Sequence, residues 1–331
     1  MTRRWTPLLV IAALLAPSWG VAQQPPFGPL TWEEGSPLQR ISYTPAFERA
    51  DVIGRGGVSA DLWLGYSNIF EQDSSATHRL FLDTERLLTA ATVRWGLSDR
   101  LEVGGRLTFV TTGGGILDSF VEWYHEQLHL GQANRDRFPK DAYEQRLSDG
   151  GPTPYLDIRQ RTLGLDDVQL FAKWQAAASQ DARSALSVRA TARLPGHSNR
   201  VAAERADAAL VALARLGAGS WYVHGMLGAG VVRASPQLEP ILGEASAFLG
   251  LAVERSLGAS VGAVAQVQIA SPLLRGFGHR EIEWPASNLI LGLAGRWGED
   301  WSWDASFQED VPPDAPAIDF TLGLRVTRTW R

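Results

Sequence analysis

Apolar residues alternate with polar or small ones along stretch after stretch of this chain, and a side-chain period of two marks a strand with one face against water and one against something apolar. Val58, Ala60, Leu62, Leu64 and Tyr66 share one face of the first stretch. Leu87, Ala91, Val93, Trp95 and Leu97 repeat the pattern opposite Thr92 and Arg94; Leu101, Val103, Leu107 and Phe109 repeat it opposite Glu102, Arg106 and Thr108. Nine more such stretches follow, from Asp167–Gln175 to Ile318–Trp330, so twelve strands are expected. The outer half of the long second strand, Arg79 to Arg86, alternates poorly and is expected to project beyond the rest.

What surrounds the strands decides how they close. Arg3 and Arg4, an apolar run from Leu8 to Ala16, and Gly20-Val21-Ala22 before Gln23 have the order of a secretory signal peptide, predicted over residues 1–22. No later run of eighteen apolar residues occurs, so a membrane helix is not expected. With the leader's two arginines removed, the formal charge of −5 becomes about −7, which excludes nucleic acid as a natural partner. There is no cysteine, so an exported chain must take its stability from a closed hydrogen-bonded architecture or a large core.

Connections alternate in length. Those at Leu97–Arg100, Ala178–Asp181, Gly217–Gly219, Ser256–Gly258 and Gly298–Asp300 are short, and the intervening ones are mostly longer. An even strand count with short turns at one end and long loops at the other predicts an all-β, transmembrane antiparallel β-barrel of about twelve strands in the outer membrane of a Gram-negative bacterium. A bilayer offers no partner for unpaired backbone, so a sheet crosses it only by closing on itself. Trp95, Trp221, Trp297, Trp301 and Trp303 lie close to the short turns, and Trp330 lies at the C-terminus, as a periplasmic aromatic girdle requires. The last strand, ending at Trp330, resembles the signature read by the barrel-insertion machinery. Membrane lipid and that machinery are therefore expected partners. Residues 57–331 form the predicted barrel; residues 23–56 are expected to be either a periplasmic tail or a segment folded into the lumen.

One stretch departs from period two. Within a long surface loop spanning 111–163, Gly113-Gly114-Gly115 is followed by Ile116–Leu130, which reads as a helix. Leu117, Phe120, Val121, Tyr124 and Leu128 share a face expected to pack on the barrel wall or lumen. Asp118, Glu122, His125 and His129 form a neighbouring stripe expected to remain available. His125-Glu126-Gln127-Leu128-His129 matches H-E-x-x-H, a zinc-binding spacing, with Glu122 as a further candidate ligand; the alternative is a solvated polar face. On the strand parity, Asp61, Arg94, Glu102, Arg106, Lys173, Arg189, Arg193, His224, Glu254, Arg296, Asp304 and Arg325 face inward, as a selectivity path or an internally paired lumen.

Four segments carry a resemblance. Tyr66-Ser67-Asn68-Ile69-Phe70, Leu82-Asp83-Thr84-Glu85, Trp95-Gly96-Leu97-Ser98-Asp99-Arg100-Leu101-Glu102-Val103-Gly104, and above all Gly113–Glu122 with His125, Gly131, Asn134-Arg135 and Pro139, resemble an outer-membrane family catalogued as domain of unknown function 3187. The resemblance implies a barrel and supplies no catalytic residues. Asp118, Glu122, His125 and Arg135 match its motif and become the candidate binding residues; the family pattern does not require His129. The reading that follows is passage or binding of a small-molecule solute, with residues 113–137 as lid or constriction and no cofactor, zinc excepted. The alternatives are a surface-facing enzyme using the loop helix and a structural or adhesive surface protein.

Overall fold

In the computed structural model, residues 26–128, 135–159, 161–196, 206–233, 238–277, 283–311 and 320–331 are described. The signal-peptide segment and His129 lie outside them. The strands are β1 (Val58–Ser74), β2 (Arg79–Ser98), β3 (Leu101–Gly113), β4 (Glu144–Ser148), β5 (Leu156–Ile158), β6 (Leu163–Ala178), β7 (Ala185–Pro195), β8 (Asp207–Ala218), β9 (Trp221–Val231), β10 (Ala245–Ser256), β11 (Val261–Ala270), β12 (Ala286–Trp297), β13 (Trp301–Asp310) and β14 (Phe320–Trp330). Twelve of them, β1–β3 and β6–β14, form a closed antiparallel barrel. β1 pairs on one side with β2 (Leu62 opposite Ala91) and on the other with β14 (Leu62 opposite Val326), so the ring has no open edge.

The two remaining strands lie outside the ring. β2 runs past the end of β3, and its projecting part, Arg79–Asp83, pairs with β4, which in turn pairs with β5. The projection was legible, but β4 and β5 were not: five and three residues are too few to establish a period, and the unpaired edge of β2 is what recruits them.

The parity of the strands holds around the barrel. Leu107, Leu210, Leu227 and Leu322 are exposed on the outer wall, whereas Arg106, Lys173, Arg189, Arg193, His224, Glu254 and Asp304 are buried inside. Trp95, Trp174, Trp221, Trp297, Trp301 and Trp330 point outward at the short-turn end, and Trp297 stacks on Trp303 at 5.9 Å. Trp63 is the exception, fully buried on the inner face with Leu88 and Ala90.

Residues 26–57 precede β1 and lie within the lumen. The chain starts at the short-turn end, where Glu254 of β10 accepts the amides of Phe27 (2.8 Å) and Gly28 (2.9 Å). It rises past Gln266 and Asp304 to a short 3-10 turn at Gln39–Ile41. There Leu38 and Ile41 join an apolar cluster with Leu80, Leu82, Leu147 and Phe277 at the long-loop end. The chain then descends past Arg193 to Asp51 and returns to the foot of β1, where the Gly56 amide donates to the Gly96 carbonyl at 2.8 Å. The segment is a hairpin with both ends at the same mouth.

Candidate functional site

The loop that dominated the sequence reading is built on one carboxylate. Glu85 on β2 accepts the amides of Ile116 (3.0 Å) and Leu117 (2.5 Å), the donors at the start of the helix α1 (Asp118–Leu128), and also the Tyr66 hydroxyl and the Asn68 amide. Gly115 has φ +77°, and a Cβ there would lie 1.8 Å from the Glu85 carboxyl carbon, so both backbone conformation and space require glycine. Asp118 is buried. Its carboxylate accepts from Asn68 (2.9 Å), Arg135 (2.9 Å) and the Asp141 amide (2.7 Å). The Arg135 guanidinium lies 5.0 Å from the centre of the Phe70 ring. Asp118 and Arg135 are thus brought together, as the pinning point of the loop.

Glu122 lines one small cavity with Asp118 and Arg135, and His125 lies against β13 instead. Glu122 pairs with Lys140 at 2.5 Å, and Lys140 also donates to Ser119. His125 is buried with Nε2 3.6 Å from Glu309 of β13, the carboxylate that also accepts the Tyr124 hydroxyl at 3.3 Å. Burial, then the nearby Glu309 carboxylate and its hydrogen bond, push the Tyr124 hydroxyl above its usual range. Among the described residues no group of three histidines, aspartates or glutamates is placed to hold a metal.

Phe120, Val121 and Tyr124 of α1 pack on the barrel wall as expected, but the availability of the polar stripe is corrected. Glu309 and Phe307 share the strand face of Trp301, and Phe320, in edge contact with Phe120 (5.5 Å) and Tyr124 (6.1 Å), shares that of Leu322 and Leu324. The helix therefore lies on the outer wall of the barrel, with Asp118, Val121 and His125 turned inward and Ile116, Phe120 and Trp123 exposed. The stripe expected to remain available is the buried one. The reason is the partners on offer: Asn68 and Arg135 take Asp118, Glu309 lies against His125, and the Phe320 ring meets Phe120 and Tyr124.

The lumen holds the denser chemistry. Glu33 pairs with Arg106 of β3 at 2.8 Å, and Arg40 pairs with Asp166 and Asp167 of β6, the latter at 2.9 Å. Arg193 of β7 donates to the carbonyls of Arg40, Ile41 and Ser42, and Arg215 of β8 pairs with Asp51. Glu48 faces three cations: Arg189 at 3.0 Å, Lys173 at 3.6 Å and Arg94 at 3.6 Å. Burial alone would raise Glu48; the three cations more than offset it and hold the carboxyl well below the ordinary range. Glu34, near the tip, is the opposite case: burial outweighs the Ser36 amide, Arg40 and Arg86 and raises its carboxyl to about 7.

The inner wall has two characters. β2, β3, β6 and β7 present most of the arginines, whereas β8–β12 present Val211, Leu213, Met226, Phe248 and Ile290, against which Phe27, Leu30, Trp32 and Phe47 pack. Every inward charge named from parity is buried or lumen-bonded here. What sequence could not place is the complementary charge on residues 26–57, which belongs to no periodic element.

Comparison with solved structures finds a barrel of this kind. The COG4313 outer-membrane channel from Pseudomonas putida F1 superposes with a TM-score of 0.53 at 14% identity, covering 85% of this chain and 98% of that one. The NanC porin gives 0.47 at 7% identity over 81% and 98%. At these identities the likeness concerns the fold alone. Comparison with the curated proteins yields no match. A family model described as protein of unknown function (DUF3187) matches residues 6–329, and the chain belongs to that family.

Proposed function

We propose that the protein is a Gram-negative outer-membrane channel for a small molecule, held shut by residues 26–53 and opened when that hairpin leaves the lumen. The observation that carries this reading is how the hairpin is held. Only half of its wall contacts are apolar, through Phe27, Leu30, Trp32 and Phe47; toward β3, β6, β7 and β8 its anchors are ion pairs, and buried ion pairs contribute little net stability beside apolar packing of the same volume. It joins β1 through Gly54, Gly56 and Gly57, and the first two have φ of +85° and +78°, a natural hinge. The likeness to an outer-membrane channel supports the same reading. Residues 113–128 and 135–137 enter it as a collar on the outer wall rather than as a lid or constriction. Lipid would contact the exposed leucines and the tryptophan girdle, and the insertion machinery would read β14.

The chain's lack of cysteine makes a test direct. Ser187 donates to the Ala50 carbonyl, so the two residues touch. The double variant Ala50→Cys, Ser187→Cys is expected to be silent in a planar bilayer when oxidised and to show discrete current steps after reduction. Equal behaviour in both states, with the crosslink verified by mass, sinks the reading.

A further inference from the structure

Glu48 occupies a setting built for an anion, and its neighbour completes the shape of a ligand. Arg94 and Arg189 lie 5.8 and 4.0 Å from the centre of the Phe171 ring, which holds both guanidinium groups toward the lumen. Arg94 and Lys173 have wall partners besides Glu48, in Asp61 and Glu102. Arg189 has Glu48 as its one carboxylate among the described residues. Phe47, the preceding residue, is buried in the apolar half of the lumen with its ring against Gly250, where a Cβ would lie 2.9 Å from it. A cavity of about 210 Å³ lined by Glu48, Arg94, Lys173 and Arg325 opens beside the site toward the short-turn end.

We propose that Arg94, Lys173 and Arg189 form the binding site for the carboxylate of an apolar, arylalkanoate-like solute, and that Phe47-Glu48 occupies it as an internal stand-in while the channel is shut. This rests on the channel reading and names its substrate class. A carboxylate reproduces the charge that the three cations require, and a short apolar chain ending in a ring spans to the wall that Phe47 covers. A neutral aromatic would leave Arg189 unpaired in a buried setting, and a small carboxylate would leave the apolar half empty.

The test uses the full chain with the stand-in trimmed, Phe47→Ala with Glu48→Ala, in detergent. Titration calorimetry with 3-phenylpropionate is expected to show binding at least tenfold tighter than to the unaltered protein, and tenfold tighter than that of 3-phenylpropanol or propionate. Adding Arg189→Gln should abolish the difference between the acid and the alcohol. Equal binding of acid and alcohol, indifference to Arg189→Gln, or no binding by a variant with normal heat-modifiable migration overturns the proposal. Should the double variant not fold, Glu48→Ala alone serves: acetate should raise its unfolding temperature more than chloride at equal ionic strength, and an equal effect of the two salts overturns the proposal. Currents are recorded separately, so binding by a silent barrel refutes the channel reading alone.

Discussion

Replacing Arg40 by methionine tests whether charge holds the hairpin in place. Arg40 is 5% exposed and lies against Glu33 at 3.3 Å, Asp166 and Asp167. Methionine keeps much of the apolar stem but removes the charge, leaving two adjacent buried carboxylates. Asp166 retains Arg86 at 3.8 Å, and Asp167 retains the Gln169 amide at 3.2 Å. An uncompensated buried charge costs about 3–5 kcal/mol; with Arg86 in reach the lower value applies, and at 1.4 kcal/mol per decade the seated hairpin should lose roughly a hundredfold in population against the displaced one. Ser42 is 2% exposed, and in a chain without cysteine Ser42→Cys makes a unique reporter of that population. At alkaline pH, maleimide labelling of Ser42→Cys should accelerate about a hundredfold when Arg40→Met is added. Converting Asp167 to asparagine as well should restore much of the protection, because Asp166 keeps Arg86 and the carboxylate left without a cation is gone. Acceleration of less than about fivefold, in protein with normal heat-modifiable migration, refutes the argument that ion pairs hold the hairpin.

Other consequences are open to measurement. The seated state raises Glu34 to about 7 from 4.5, so it binds a proton more tightly than the displaced state; seating should strengthen as pH falls from 7 toward 4.5, by at most roughly 3 kcal/mol, and Glu34→Gln should flatten that dependence of labelling at Ser42→Cys. Gly115→Ala should free the collar, since Cβ would enter the Glu85 carboxylate, and protease added to intact cells should then cut near Arg137 and Lys140 many times faster than in the unaltered protein. Leu293→Arg, on the exposed outer face of β12, should destabilise the barrel by about 2–4 kcal/mol in urea titrations in vesicles, whereas Leu216→Arg, on the same outer wall near the short-turn end of β8, should cost about 1 kcal/mol or less.

The barrel was legible because its signal is repeated twelve times. Leu62, Leu107 and Leu322 face outward for the same reason that Asp61, Arg106 and Thr321 face inward, and errors in one strand are corrected by its neighbours. Lumen charges followed from parity, and so did the girdle, although Trp174 was missed; Trp63 faces inward with Asp61, as the same parity requires. The loop motif was legible as a motif but not in its orientation. Helical periodicity separates an apolar from a polar stripe without saying that one wall can take both, as Phe320 takes Phe120 and Tyr124 while Asn68 and Glu309 face Asp118 and His125. The hairpin was not legible at all as a partner of the wall. Glu33, Arg40, Glu48 and Asp51 lie in a stretch with no period, and their meaning depends on residues 46 to 164 positions away in the sequence. The nearest available signal was the surplus of inward arginines without inward carboxylates to match.

That both ends of the hairpin lie at one mouth has a consequence for how the molecule is made. A strand running through the lumen from end to end would have to be threaded, or have the wall close around it, and the last pairing of β1 with β14 would wait on that step. A looped segment needs neither. The wall can zip shut first, with a water-filled interior, and the loop can then be drawn in tip first by its apolar end at Leu38 and Ile41. Maturation of this protein would therefore end with two separable events, a slow one that consumes an edge and a later one that drains a cavity.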